Sequence, residues 1–171
     1  MTERIGTVTM EGTPLTLIGN KIKVGDQAPD FTVIDNDLSP INLSYFLEKP
    51  CIIASVPSLD TPVCDLETQR FNEEAGRLNS DITILTISMD LPFAQKRWCG
   101  ATGVRRVQTF SDHKDASFGI AYGVLIKELR LLARTVFVID AKGIITYRQL
   151  VKEITEQPDY DAILDAAKKI F

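Results

Sequence analysis

Hydrophobic residues along the chain form short β-branched runs separated by longer amphipathic stretches. Apolar runs of strand length occur at residues 51–56, 82–88 and 134–140, and such runs are typical of strands buried in a sheet. A stretch with helical periodicity extends from residue 65 to residue 79, and a second helix start is predicted at residues 90–92. Strands that alternate with helices in this way predict an α/β fold.

The two ends of the chain predict antiparallel strands and a final helix. Weak alternation around a Gly- and Pro-containing turn indicates an N-terminal β-hairpin within residues 7–18. A strand at residues 144–151 follows residues 134–140 across a turn, and a helix at 160–170 ends the chain. Shorter elements are predicted at residues 31–34, 42–47, 107–110 and 116–122. We therefore expect one domain, residues 1–171, with flanking helices and a mixed sheet that is parallel at its centre and antiparallel at one side.

Composition and charge narrow the class of protein. The chain has 171 residues, of which 44% are hydrophobic and 25% charged, values typical of one compact globular domain. The net charge of −4 and the absence of a Lys/Arg cluster argue against a nucleic-acid partner. No apolar run approaches membrane length, and residues 1–6 lack the apolar core of a signal peptide. We expect a cytoplasmic protein without a membrane partner.

Residues 57–64 join a predicted strand to a predicted helix and end in Cys64. Thr61 suits the N-cap and Pro62 the first helical position, so that Cys64 falls in the first turn. A thiol there meets free backbone N–H groups and the positive end of the helix dipole, which favour the reactive thiolate. Cys64 also shares a helical face with Phe71, so from position alone a small buried core residue is an equal alternative.

The cysteine and histidine pattern limits the chemistry. The three cysteines, Cys51, Cys64 and Cys99, have neither the spacing of a zinc site nor that of a secreted disulfide framework. The only histidine, His113, lies in a polar loop, which predicts a solvated side chain. Cys64 with His113 as its base would make a Cys-dependent hydrolase, and this alternative stays open. A thiolate stabilised by a helix N-terminus needs no histidine, which favours redox chemistry.

Cys99 is a candidate second thiol for such chemistry. We expect it at the end of the second helix, before the segment 100–103, whose glycines let it loosen at little cost. A thiol on such a segment can condense with oxidised Cys64 to form a disulfide, whereas a half-buried helix-end residue is the structural alternative. Cys51, inside an apolar strand, is expected to be a core residue. A further alternative is a redox-sensing or binding module in which oxidation of Cys64 only alters a partner surface.

Residues 57–64 also resemble a known family. Pro57, Thr61 and Cys64 match the Pro-x-x-x-Thr-x-x-Cys motif of peroxiredoxins, and the whole stretch looks like the thiol peroxidase branch of that family. Further similarity to this branch lies in the N-terminal hairpin and at residues 90–99, 131–140, 149–154 and 158–160. The likeness extends over nearly the whole chain.

The resemblance implies a thioredoxin-like fold and a peroxidase of the atypical two-cysteine type that reduces hydrogen peroxide or alkyl hydroperoxides. Cys64 would be the peroxidatic cysteine and Cys99 the resolving cysteine, joined in an intramolecular disulfide that a thioredoxin-type donor reduces. Thr61 would hydrogen-bond the peroxide, Pro57 would shield the pocket from water, and Arg134 would stabilise the thiolate and the transition state. A homodimer without a metal, haem, flavin or selenium is also implied. Without the resemblance, Arg134 is interpreted as a surface cation at a strand start.

Overall fold

The computed structural model describes residues 1–78 and 81–170, and these form the alternating strands and helices that the sequence predicts. The strands are β1 (Glu3–Met10), β2 (Thr13–Ile18), β3 (Thr32–Ile34), β4 (Pro40–Asn42), β5 (Cys51–Ser55), β6 (Thr83–Ser88), β7 (Val107–Ser111), β8 (Leu125–Ile126), β9 (Thr135–Ile139) and β10 (Ile145–Leu150). The helices are α1 (Pro62–Ala75), α2 (Pro92–Thr102), α3 (Ser117–Ala121) and α4 (Tyr160–Lys168), with a 3-10 turn at Leu43–Tyr45. In the described part of the chain, no helix combines the length and the apolar character needed to cross a membrane.

A seven-stranded mixed sheet, in the order β10-β9-β5-β6-β7-β3-β4, forms the centre of the fold. Strands β5, β6 and β7 are parallel to one another, as predicted for the centre. The predicted antiparallel side is confirmed by β9 and β10. At the other side β3 and β4 also pair antiparallel, which the sequence does not predict. The outermost strand β4 has only three residues and begins with Pro40, a residue that edge strands accept but that gives no strand signal in a sequence.

The two faces of this sheet are covered by different elements. Along β9, Val136 packs on the side of α1 and α4, whereas Phe137 packs with the N-terminal hairpin and α3. Because both faces are buried, the central strands are continuous apolar runs rather than alternating ones. The predicted hairpin is confirmed as β1 and β2, which form a second, three-stranded sheet with the two-residue strand β8.

Helix α1 begins at Pro62, as predicted. Thr61 occupies the N-cap position, but its hydroxyl makes no capping hydrogen bond and donates instead to the carbonyl oxygen of Ser58, 2.8 Å away. The helix ends at Ala75, earlier than expected; the predicted end, Asn79, lies outside the described residues. The start of α1 therefore fixes the position of the first-turn cysteine.

Helix α2 begins at Pro92, as predicted, but ends later than expected. The expectation that the helix ends at Cys99 and Gly100 is wrong, since α2 continues to Thr102. Gly100 lies inside the helix, whereas Gly103 follows it in the left-handed conformation with φ of 72°. A glycine in that conformation is a common stop signal for a helix. Cys99 consequently lies within a formed helix.

Candidate active site

Cys64 is completely buried in the first turn of α1. Its side chain packs against Val56 and Leu59, and Trp98 of α2 packs against the same small cluster. Pro57, at the start of the connecting loop, is also buried. Cys64 thus lies in the first turn of a helix, as predicted, and is also fully buried, as the core alternative expects. The charges around the sulfur distinguish it from ordinary core packing.

Arg134 approaches Cys64 from the residue before β9. Its Nη2 atom lies 3.3 Å from Cys64 Sγ, and the side chain is buried, with 1% of the residue exposed. The guanidinium is anchored by the carbonyl oxygen of Ile154, which accepts from Nε at 3.1 Å and from Nη2 at 2.8 Å. The interpretation of Arg134 as a surface cation is wrong. A buried arginine bonded to a sulfur stabilises the negative charge of a thiolate.

Glu67 completes the charged cluster one helical turn after Cys64. Arg134 Nη1 donates to Glu67 Oε2, and both side chains are buried. Burial raises the pKa of Glu67 to about 7, although the charge of Arg134 and its hydrogen bond act in the opposite direction. Burial lowers the pKa of Arg134, but Glu67 and Cys64 raise it by more, so the guanidinium stays charged. Glu67 is not among the site residues predicted from the sequence. The signal that could have indicated it is an acidic residue on the apolar face of α1.

The loop before α1 is fixed by hydrogen bonds centred on Ser58. Its carbonyl oxygen accepts from the Thr61 hydroxyl at 2.8 Å, and its Oγ accepts from the Asp60 backbone N–H at 3.1 Å. The Ser58 hydroxyl itself donates to Asp90 at 2.6 Å. Thr61 is exposed, and because its hydrogen is already donated, its oxygen is left as a hydrogen-bond acceptor. A cavity of about 290 Å³ lies between this loop and α2.

Cys99 lies in different surroundings from Cys64. Its Sγ contacts the Thr109 hydroxyl at 3.4 Å, and the residue is half-buried beside a cavity of about 310 Å³. The preceding residue, Trp98, faces the other helix and donates from Nε1 to Asp65 Oδ1 at 2.9 Å. Both thiols are free. The two helices that carry the cysteines are therefore in contact, but the Cys99 sulfur is hydrogen-bonded to the Thr109 hydroxyl of β7.

The remaining candidates lie away from this cluster. His113 is half-buried and its Nδ1 lies 2.8 Å from Ser111 Oγ, so its side chain is only partly solvated. Cys64 Sγ accepts a hydrogen bond from Arg134, whereas the His113 ring contacts Ser111. Cys51 is buried in β5 as predicted, and burial raises its pKa to about 12, which makes it unreactive at neutral pH. Within residues 1–78 and 81–170, no group of three potential metal ligands is found.

Known proteins with similar sequences identify the family. The sequence profile of the Redoxin family matches residues 23–164. A thiol peroxidase of Halalkalibacterium halodurans is 54% identical over 164 residues, which cover 96% of this chain and 98% of the relative. A thiol peroxidase of Bacillus subtilis is 55% identical over 163 residues, covering 95% and 97% of the two chains. The chain belongs to the thiol peroxidase branch of the peroxiredoxin family. This peroxiredoxin is therefore a thiol-dependent peroxidase, an oxidoreductase that reduces peroxides with electrons from thiols.

Solved structures agree with the fold of this peroxiredoxin. The crystal structure of a peroxiredoxin-like protein from Aquifex aeolicus superposes with a TM-score of 0.89 at 41% identity, covering 97% of this chain and 98% of the other. The thioredoxin-like fold expected from the resemblance is confirmed. The last residue of the family motif at residues 57–64, Cys64, is the one that Arg134 contacts.

Proposed function

We propose that Cys64 is the peroxidatic cysteine of this peroxiredoxin. The observation that carries the proposal is the hydrogen bond from Arg134 Nη2 to the buried Cys64 Sγ, at 3.3 Å. The cation and the helix N-terminus both favour the thiolate. The thiolate attacks the terminal oxygen of a hydroperoxide, the O–O bond breaks, and Cys64 becomes a sulfenic acid. The leaving oxygen takes up a proton and departs as an alcohol, or as water when the substrate is hydrogen peroxide.

Three further residues assist this step in our proposal. Thr61 accepts a hydrogen bond from the peroxide O–H, which its donation to Ser58 supports. Pro57, buried beside the loop, keeps water away from the sulfur. Arg134 stabilises the transition state, in which negative charge moves from the sulfur to the leaving oxygen. The proposed role of Thr61 uses the oxygen lone pairs that remain after its hydroxyl donates to Ser58, and that of Arg134 uses the N–H group that already faces Cys64.

Cys99 is proposed as the resolving cysteine. Its thiol attacks the Cys64 sulfenic acid, a disulfide forms within the chain, and water leaves. Two cysteines can be joined only when their Cα atoms come within about 7 Å. The Cys99 sulfur contacts Thr109 in β7 and lies within a formed helix, so we propose that α2 unwinds locally before the disulfide forms. A thioredoxin-type dithiol donor then supplies two electrons and restores both thiols.

The remaining features of the proposal are general. We propose that residues 1–171 form one domain of a cytoplasmic homodimer that reduces hydrogen peroxide or alkyl hydroperoxides without a cofactor and without nucleic-acid or membrane partners. The net charge of −4 is consistent with the absence of a nucleic-acid partner. Exposed Leu91 and Phe93, at the start of α2, support a subunit interface near the candidate site.

Peroxide-driven NADPH consumption through thioredoxin and thioredoxin reductase tests these assignments. We expect Cys64→Ser to abolish turnover, Cys99→Ser to retain a single turnover that consumes one peroxide per chain without sustained NADPH consumption, and Cys51→Ala to behave as the wild type. His113→Ala separates the peroxidase from a Cys-dependent hydrolase, because only the hydrolase needs that side chain. Sustained turnover by Cys64→Ser would contradict the proposal. Oxidation of Cys64 without turnover by the wild type would favour the redox-sensing alternative.

A further inference from the structure

The carboxylate of Asp90 lies between the two segments that carry the cysteines. Asp90 lies in the short link between β6, which ends at Ser88, and α2, which begins at Pro92. Its Oδ1 accepts from the Ser58 hydroxyl at 2.6 Å, and its Oδ2 accepts from the backbone N–H of Leu59 at 2.8 Å. Ser88 donates to the same Oδ2 at 2.7 Å. Three donors on one carboxylate make charge-assisted hydrogen bonds, which are stronger than those between neutral groups.

The two hydrogen bonds from the loop to Asp90 fix two residues near Cys64, Ser58 and Leu59. Ser58 is the residue whose carbonyl oxygen orients the Thr61 hydroxyl, so the bond from Ser58 to Asp90 fixes the acceptor that the peroxide needs. Leu59 is buried against Cys64, and its backbone N–H is held by Asp90. Among the described residues, the Asp90 carboxylate is hydrogen-bonded to Ser58 and Leu59 and not to Cys64 or Thr61. Asp90 therefore acts on the site through Ser58 and Leu59.

The same carboxylate is connected to the interior of α2. Ser88, which donates to Asp90, accepts from Gln95 Nε2 at 2.9 Å. Gln95 is fully buried in α2, and its Nε2 also donates to the carbonyl oxygen of Phe110 at 2.8 Å. The loop before Cys64 is thereby joined to the helix that carries Cys99 by a continuous chain of hydrogen bonds.

We propose that Asp90 is a positioning residue for the peroxide step: it holds the loop of residues 57–61 in its reactive geometry and joins that loop to α2 in the reduced enzyme. This inference rests on the proposed roles of Cys64 and Thr61. It predicts that loss of Asp90 slows the attack of Cys64 on peroxide without slowing the later conversion of the sulfenic acid to the disulfide, since α2 unwinds in the proposed resolving step and the bonds through Asp90 restrain it.

The first step is measured in the Cys99→Ser background, where the sulfenic acid of Cys64 is trapped by dimedone and counted by mass spectrometry. Asp90→Asn keeps the shape of the side chain but removes its charge and places an N–H donor among three donors. Small errors in the placement of reacting groups cost up to about a hundredfold in rate, so we expect a decrease of about tenfold to a hundredfold. In the two-cysteine protein, the rate constant for conversion of the Cys64 sulfenic acid to the disulfide, separated from the first step by its independence of peroxide concentration, should be at least that of the wild type.

Asp37→Asn is the matched control. Asp37 pairs with Lys96 of α2 at 3.2 Å and is exposed, so the variant removes a carboxylate bonded to α2 but not to the loop. We expect both rates to be unchanged. Ser58→Ala removes one of the bonds to Asp90 and should slow the first step severalfold. Because the two residues share the bond between Ser58 Oγ and Asp90 Oδ1, the decrease in Ser58→Ala combined with Asp90→Asn should be smaller than the product of the two single decreases.

Several results would overturn this inference. An unchanged or faster first step in both Asp90→Asn and Ser58→Ala would exclude a positioning role. An equal decrease of both rates, together with a lower unfolding midpoint, would show that Asp90 only stabilises the fold. Formation of the trapped adduct by Cys64→Ser would instead contradict the proposed function, which separates failure of the two proposals.

Discussion

Trp98 Nε1 lies 2.9 Å from Asp65 Oδ1, so the residue before Cys99 is hydrogen-bonded to the residue after Cys64. This bond joins α2 to the first turn of α1 while the Cys99 sulfur contacts β7. In the proposed resolving step α2 unwinds locally before the two cysteines are joined, which changes the surroundings of Trp98. As Trp98 is the only tryptophan of the chain, its fluorescence reports on this rearrangement.

Trp98→Phe should accelerate disulfide formation. The substitution keeps an aromatic ring against Cys64 but removes the N–H that holds α2 to Asp65. Loss of a hydrogen bond worth ~1 kcal/mol in the reduced state corresponds to a rate increase of about fivefold. Free thiols counted by mass spectrometry after rapid mixing with peroxide measure this rate, since the variant lacks the fluorescent reporter. A faster resolving step also leaves less sulfenic acid for a second peroxide, so overoxidation of Cys64 should decrease.

Two variants of α1 control this prediction. Asp65→Ala removes the acceptor of the same bond and should reproduce the effect while retaining the fluorescence of Trp98. Gln69 Nε2 donates to the same Oδ1 at 2.9 Å, but within α1, so Gln69→Ala should leave the rate of disulfide formation unchanged. Slower disulfide formation in Trp98→Phe and Asp65→Ala would show that the bond assists the rearrangement instead of opposing it.

Alanine substitutions of the two glycines around the end of α2 should have different effects on the same step. Gly100 is helical and a Cβ there would meet no atom within 4 Å, so Gly100→Ala stabilises α2 by ~1 kcal/mol. Unwinding becomes harder, and disulfide formation should slow about fivefold while the attack on peroxide stays unchanged. Gly103 has φ of 72°, where alanine is strained, so Gly103→Ala should not slow disulfide formation. Equal rates in the wild type and Gly100→Ala would mean that α2 does not unwind.

The sequence predicts the local features of this site better than its long-range contacts. Thr61 and Pro62 mark the start of α1 and so place Cys64 in the first turn, because helix starts depend on adjacent residues. The sequence does not predict the end of α2, because a glycine inside a helix is tolerated and only the left-handed conformation identifies Gly103 as the stop. Such a conformation depends on the surrounding fold and is not visible in the order of residues.

The contact between Arg134 and Cys64 joins residues 70 positions apart. From composition and periodicity alone, Arg134 is an ordinary cation at a strand start; only the family resemblance indicated its role. In the sequence, Asp90 is recognisable only as part of a predicted helix start. Its proposed role depends on the parallel neighbours β5 and β6, whose carboxyl ends bring Ser58 and Asp90 together. Residues that act through such tertiary contacts require the structure.

Thr61→Val should slow the attack on peroxide, whereas Thr61→Ser should retain most of the rate. Valine has nearly the same shape but offers no oxygen to accept the peroxide O–H, while serine keeps a hydroxyl that can donate to Ser58 as Thr61 does at 2.8 Å. Loss of one oriented hydrogen bond in the transition state costs about a hundredfold or more in oxyanion sites and sets the expected scale. The rate of sulfenic acid formation in the Cys99→Ser background measures the effect. Equal rates in the serine and valine variants would exclude Thr61 as the acceptor.

Glu67→Gln should change how stability depends on pH. Burial raises the pKa of Glu67 from 4.5 to about 7 in the folded protein, so between these values the folded state binds the proton more tightly than the unfolded state. The free energy of unfolding contributed by this group is therefore highest below about pH 4.5, falls as the pH rises to 7, and levels off above it. Glutamine does not titrate, so the stability of the variant relative to the wild type should increase across this window.

Urea unfolding of the two reduced proteins at a series of pH values tests this expectation, since the other titrating groups are common to both and cancel in the difference. The amide oxygen of Glu67→Gln can still accept from Arg134, so peroxide reactivity should remain close to that of the wild type. Glu67→Ala removes this acceptor, leaves the guanidinium less well positioned beside Cys64, and should slow the first step by about tenfold or more. A stability difference that stays constant from pH 4.5 to pH 7 would mean that Glu67 remains ionised beside Arg134 throughout, and that the cation outweighs the effect of burial.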